Sequence, residues 1–160
     1  MKAGFLKAML LVAIMAVTGV AKAADFTIRA TANSNENDED YDGLVVFKNY
    51  VESASNGAIA VELFIGTQLC SKGAECLQGV ADGSIDVYIS TSGGAAGIFP
   101  YVQVLDLPYL MADDRVAEHV LSGDFTRTMR AMALEDSGDK IRLMTIGNTC
   151  LLYTSPSPRD

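Results

Sequence analysis

The segment Ser90-Thr-Ser-Gly-Gly-Ala-Ala-Gly97 concentrates hydroxyls and small side chains that leave main-chain N–H groups approachable. That composition suits a polar or anionic ligand held by main-chain donors. Nucleotide chemistry does not fit. No Gly-Lys-Ser/Thr follows, as a phosphate-cradling loop needs, and Gly93, Gly94 and Gly97 lack the spacing of a dinucleotide fingerprint. A tight turn with no ligand is the competing reading.

Asp38-x-Asp40-x-Asp42-Gly43 imitates the opening of a calcium loop, but Asn49 stands where that loop needs its bidentate Glu. Acidic capping of a helix explains the same residues, so no metal is expected. His119, the one histidine, follows Glu118 on an amphipathic segment and reads as a solvated helix position. With no Gly-x-Ser-x-Gly, no metal-spaced His set and no placed acid–base pair, the chain is not expected to be an enzyme or to carry a cofactor. Cys70 and Cys76 are expected to close a small loop as a disulfide if the chain is exported; two free buried thiols are the alternative.

Alternation over Phe26, Ile28 and Ala30 predicts a first strand. Apolar residues from Tyr41 to Ala54 recur at helical spacing, with Asp40 or Asp42 as N-cap and Asn56-Gly57 as the stop. Ile59, Val61, Leu63 and Ile65 predict a second strand, Ala74–Ala81 a short helix, and Ile85–Ile89 a third strand. That order argues an α/β fold, a mostly parallel sheet flanked by helices. An irregular extended stretch, Val102–Leu107, comes next. Helices over 113–121 and 124–135 and a fourth strand over Ile141–Ile146 complete the pattern. In such sheets ligands sit at the carboxyl ends of strands, here the loops 31–37, 66–72 and 90–97.

The first 23 residues differ from the rest. Lys2 and Lys7 precede a mostly apolar run, Ala8–Val20, that ends in Ala21-Lys22-Ala23, the three parts of a secretory signal cleaved after Ala23. The run is shorter than the roughly 20 residues a spanning helix needs. A periplasmic location is therefore expected, with no membrane insertion after cleavage. The net charge of -8 and the lack of a basic stripe argue against nucleic acid as a partner. Residues 150–160, Cys-Leu-Leu-Tyr-Thr-Ser-Pro-Ser-Pro-Arg-Asp, break the preceding pattern and look like a translated sequencing adapter. Residues 24–149 are then the native, incomplete domain.

Several ordered stretches resemble the TRAP (tripartite ATP-independent periplasmic) transporter solute-binding family of dicarboxylate type. They are Ser55-Asn-Gly with its alternating strand to Phe64, Gly66-Thr-Gln-Leu69, Glu75-Cys-Leu-Gln-Gly-Val80, Gly83-Ser-Ile-Asp86, Phe99-Pro100, and Val104-Leu-Asp-Leu-Pro-Tyr-Leu110. The resemblance spans Asp25–Thr149. It implies a class II periplasmic-binding-protein-like fold, first lobe only, that closes with a second lobe on a small organic acid and delivers it to membrane permease subunits. By the same resemblance, ligand contacts fall at Thr31, Asn33, Ser90, Thr91 and Ser92, with Glu75 from the second helix. Asn148, where the chain would cross to the second lobe, is a further ligand contact by that resemblance, and the family's carboxylate-clamping arginines lie beyond it. A periplasmic sensing module, or less favourably a secreted hydrolase fragment, is the alternative.

Overall fold

The computed structural model describes residues 23–147. The expected signal up to Lys22, Asn148, and the tail from Cys150 lie outside the described residues. Strand β1 (Phe26–Ala32) leads to helix α1 (Glu39–Ala54), then β2 (Ile59–Ile65), α2 (Gly73–Asp82) and a short β3 (Val87–Ile89). The strand order is β2-β1-β3, and both pairings are parallel.

The middle position of β1 explains its burial. Ala30, Thr31 and Ala32 have no accessible surface, as expected for a parallel strand covered on both faces. Ala30 and Ala32 are small enough to admit Leu44 of α1, and with Val61 they form a core against which Phe47, Val51, Leu63 and Ile65 pack. Burying a side chain such as Leu44 contributes roughly 1.5–3 kcal/mol.

Helix α1 begins earlier than its apolar spacing suggests. Asp38 is the N-cap residue, so Asp40 and Asp42 fall in the first turn rather than at the cap. The Asp38 carboxylate accepts from the Asn35 N–H at 2.8 Å instead of capping the helix. Acidic residues near the positive helix end still suit the dipole. The stop is at the expected place: Asn56 and Gly57 both take positive φ, and Gly57 N–H donates to Glu52 O at 2.9 Å.

β2 is an edge strand, and α1 covers its free backbone. Lys48 Nζ donates to Val61 O at 2.6 Å, and Glu52 Oε1 accepts from Val61 N–H at 2.9 Å. The two side chains are themselves paired at 2.6 Å. Side chains thereby occupy the ladder positions that an unpaired edge would offer to another strand.

β3 is shorter than Ile85–Ile89 because its first residues do other work. Ile85 N–H donates to Gly79 O at 3.0 Å. Asp86 Oδ2 accepts from the Arg29 N–H at 2.8 Å and from Arg29 Nε at 3.0 Å, while Arg29 Nη2 donates to Gly83 O at 2.7 Å. Gly83 supplies the left-handed end of α2 at φ 80°. The Gly83-x-x-Asp86 motif is thus a helix stop followed by a latch onto the central strand.

Beyond β3, the expected loop 90–97 contains a short helix, α3 (Ser92–Ala95). The stretch expected to be extended is a 3-10 helix, Pro100–Asp106, because Pro100 presets the helical φ at its start and Phe99 and Val102 are spaced to reach one core. That core adds Met129 and Ala133 from α5 (Asp124–Asp136), which follows α4 (Asp114–Leu121). Asp113 caps α4 by accepting from Val116 N–H at 3.0 Å. Ile141–Ile146 is not a strand. Ser137 Oγ takes the Ile141 N–H at 3.0 Å, and Leu143 and Ile146 pack on the second core instead of pairing with the sheet.

Hydrogen bonds hold Glu52, through Lys48 and then the Val61 N–H, and Asp86, through Arg29, below the ordinary carboxylate range. The folded chain therefore binds fewer protons than the unfolded chain as these groups titrate. Stability should be fully present above the ordinary carboxylate pKa and decline as pH falls through the lowered folded values. Denaturant midpoints measured across that range should fall with pH, and Asp86→Asn should flatten the acid limb. A pH-independent midpoint would contradict the assignment.

Candidate ligand-binding edge

Ala32, Ile65 and Ile89, the last residues of the three strands, are aligned in register. The loops that follow therefore leave the sheet side by side. Asn33 joins them. Its Nδ2 donates to Cys70 O at 3.1 Å, and its Oδ1 accepts from the Tyr88 hydroxyl at 2.6 Å. Gly66 turns at φ 68° and donates its N–H to Ala32 O at 2.9 Å and Ser34 O at 3.0 Å. Burial pushes the Tyr88 phenol pKa up.

Cys70 and Cys76 are bonded as a disulfide with a Cα–Cα distance of 5.3 Å. Both are buried in one cluster with Ile85, against which Leu69, Val80 and Tyr88 pack. The next contact is backbone on backbone: a Cβ built on Gly73 would lie 2.8 Å from Gly94 Cα. The start of α2 and the α3 turn approach this closely because residue 73 is glycine; a Cβ on Gly94 would instead crowd Ser90 Oγ at 2.9 Å.

The sequence-named residues occupy different environments. Asn33 and Thr91 are exposed, and Ser90 is half-buried. Thr91 Oγ1 accepts from Gly94 N–H at 3.1 Å, and Thr91 O accepts from Ala95 N–H at 3.0 Å. Main-chain donors expected to face a ligand from this segment are thus partly used to build the α3 turn. Ser90 Oγ donates to Thr91 O at 3.0 Å, and Ser92 Oγ donates to Asp106 Oδ1.

Thr31 is fully buried, and its hydroxyl donates to Phe64 O at 2.7 Å across the β1–β2 pair. Glu75 reaches back along α2 to accept from Ser71 N–H and Ser71 Oγ, both at 2.9 Å. Those bonds hold its carboxyl below the ordinary range. Both residues have structural partners where the sequence suggested contacts to a ligand.

Spacing did not single out Tyr88 or Asp106. Tyr88 is the one aromatic in an otherwise aliphatic strand, a signal that could have marked it. One surface depression lies away from this edge, beside Arg115, Glu118 and His119; another adjoins it, lined by Leu69, Cys70, Glu75 and Gln78, and neither is lined by Asn33, Ser90 or Thr91. No cluster of three or more metal-ligating side chains occurs among the described residues.

Residues 30–152 match the bacterial extracellular solute-binding protein family 7. The chain belongs to this family. Among curated relatives, it is 26% identical over 132 residues to the 2,3-diketo-L-gulonate-binding periplasmic protein YiaO of Escherichia coli (strain K12), a match covering 82% of this chain and 40% of YiaO. Its fold is that of TRAP periplasmic solute-binding proteins. The structure from Sulfurospirillum deleyianum, with bound succinate, superposes at TM-score 0.64 and 22% identity over 70% of this chain and 36% of that one. The structure from Roseobacter denitrificans, with bound L-galactonate, superposes at TM-score 0.66 and 22% identity over 72% of this chain and 38% of that one. The chain therefore spans about two-fifths of the length of the relatives it matches.

Glycine at the α2–α3 crossing yields a direct test. Gly73→Ala should destabilise the chain by about 1–3 kcal/mol, because its Cβ meets backbone that cannot move alone. Gly93→Ala, which enters open space within α3, should be neutral or slightly stabilising. Thermal melts of the two variants decide it; equal melting points would contradict the close approach.

Proposed function

We propose that this chain supplies one wall of a receptor that captures a small organic acid outside the cytoplasm and passes it to the permease subunits of a TRAP-type transporter. The observation that carries the reading is the in-register convergence of three strand ends at Asn33, in a chain of a solute-binding family. YiaO by its name binds 2,3-diketo-L-gulonate, and the two structures hold succinate and L-galactonate, all small organic acids. In this reading Asn33, Ser90 and Thr91 meet the ligand. Thr31, Glu75 and Ser92 act one step back by holding the strand pair, the loop before α2 and the α3 turn. The residues are suited to binding and positioning rather than to bond making.

One wall is not a trap. Arg29 is occupied by Asp86 and Gly83, and Arg130 donates to Met144 O, so neither guanidinium is held ready at the edge for a carboxylate. A bidentate Arg from a facing lobe would complete the site, because its planar fork matches a carboxylate. Tyr101, Leu107, Tyr109 and Leu110 are 55%, 55%, 64% and 42% exposed, apolar side chains suited to being covered in a longer form. Closure of the two lobes on the ligand would then be favoured by contacts that exist only in the closed state.

Calorimetric titration of the 160-residue chain with succinate, L-galactonate and 2,3-diketo-L-gulonate should give no tight binding. A chain lengthened to the size of its relatives should bind at least one of them, and Asn33→Ala in that form should weaken the binding. Micromolar binding by the 160-residue chain would overturn the one-wall reading. No helix among the described residues is long and apolar enough to cross a membrane. Expression in a Gram-negative host should release a periplasmic product beginning at Ala24; recovery of intact Met1 in the cytoplasm would contradict export.

A further inference from the structure

We propose that the Cys70–Cys76 disulfide is a positioning element of the ligand-facing edge, acting through Asn33, and not a general brace of the fold. The inference rests on reading that edge as the ligand wall and concerns how the wall keeps its shape. The bridge joins residues only six apart, the short-loop end at which a cross-link removes least entropy from the unfolded chain.

Its placement has a sharper consequence. Asn33 Nδ2 faces Cys70 O at 3.1 Å. A carbonyl can only accept, so that contact sets the orientation of the Asn33 amide. Asn33 Oδ1 then lies 3.3 Å from Cys76 Sγ and 2.6 Å from the Tyr88 hydroxyl. A disulfide sulfur has no hydrogen to donate, so the 3.3 Å approach is a packing contact and the oxygen serves Tyr88. With a free thiol, Cys76 would present an S–H donor to the same oxygen. Cys70 O would also lose the covalent anchor that holds it against Nδ2. The bridge thus determines which partners Asn33 uses: Tyr88 in the middle of β3 on one side, the 66–70 loop on the other.

Amide hydrogen exchange of the full chain, read by mass spectrometry, tests this. In Cys70→Ala/Cys76→Ala, the Gly66 amide, bonded to Ala32 O and Ser34 O, should exchange about three- to tenfold faster, the equivalent of one lost hydrogen bond. Amides of β1 and α1 should keep wild-type rates. Asn33→Asp keeps the acceptor for Tyr88 but cannot donate to Cys70 O, so it should loosen the same loop with the bridge intact. Added to the double cysteine variant, it should produce no further acceleration, because the two changes cut one chain of contacts.

Additive effects, uniform acceleration across β1 and α1, or an unchanged Gly66 rate would each overturn the proposal. If the cysteine variant fails to fold, native wild-type chain treated with dithiothreitol opens the same bridge and should accelerate the same amide, with the Cys76 thiol as an added donor to Asn33 Oδ1. Two electrons and two protons from that dithiol leave a thiol on each cysteine, and the reagent closes to its cyclic disulfide. Absence of carboxylate binding in the lengthened chain would count against the ligand-wall reading, while the exchange pattern judges the bridge on its own.

Discussion

The parallel pairing of β1 between β2 and β3 is the constraint on which the other features depend. A strand with neighbours on both sides and cover on both faces must satisfy every backbone group internally and can admit only side chains that fit. Ala30 and Ala32 meet that demand by being small, and Thr31 meets it by giving its hydroxyl to Phe64 O. Once β1 is set, the register places the ends of all three strands at one edge. Arg29, in the same strand, carries the latch that brings Asp86 and the start of β3 into position.

Polar side chains at the carboxyl edge divide between scaffold and surface. Glu75, Ser92 and Thr31 look like ligand groups by type and loop position, yet each is engaged by a nearby protein partner. The engagement is useful: a loop whose polar groups already hold one another presents the remaining ones without a large ordering cost on binding. Asn33 does both jobs. Its amide connects two loops while the residue itself remains exposed.

Acidic composition has a local logic as well. Glu52 and Asp86 take backbone N–H groups together with a cationic side chain, one closing the sheet edge and the other closing the β1–β3 pair. Both pairs are partly solvated, where an isolated ion pair stabilises little. Their value lies in satisfying main-chain donors that would otherwise be unpaired.

Local rules were enough to read the strand–helix order, the Asn56-Gly57 stop and the family resemblance. Apolar period, helix ends and motif order are properties of neighbouring residues and survive without knowledge of distant ones. The same rules misjudged Ile141–Ile146, which alternates like a strand but has no sheet partner among the described residues, and Val102–Leu107, where packing against α5 selects a 3-10 turn. Tertiary structure alone decided which hydroxyls and carboxylates face outward. That depends on contacts such as Thr31 with Phe64, Asn33 with Cys70 and Arg29 with Asp86, each made across a long stretch of chain. Burial and hydrogen-bond partnership are set by what lies opposite in space, and spacing along the chain carries no record of that.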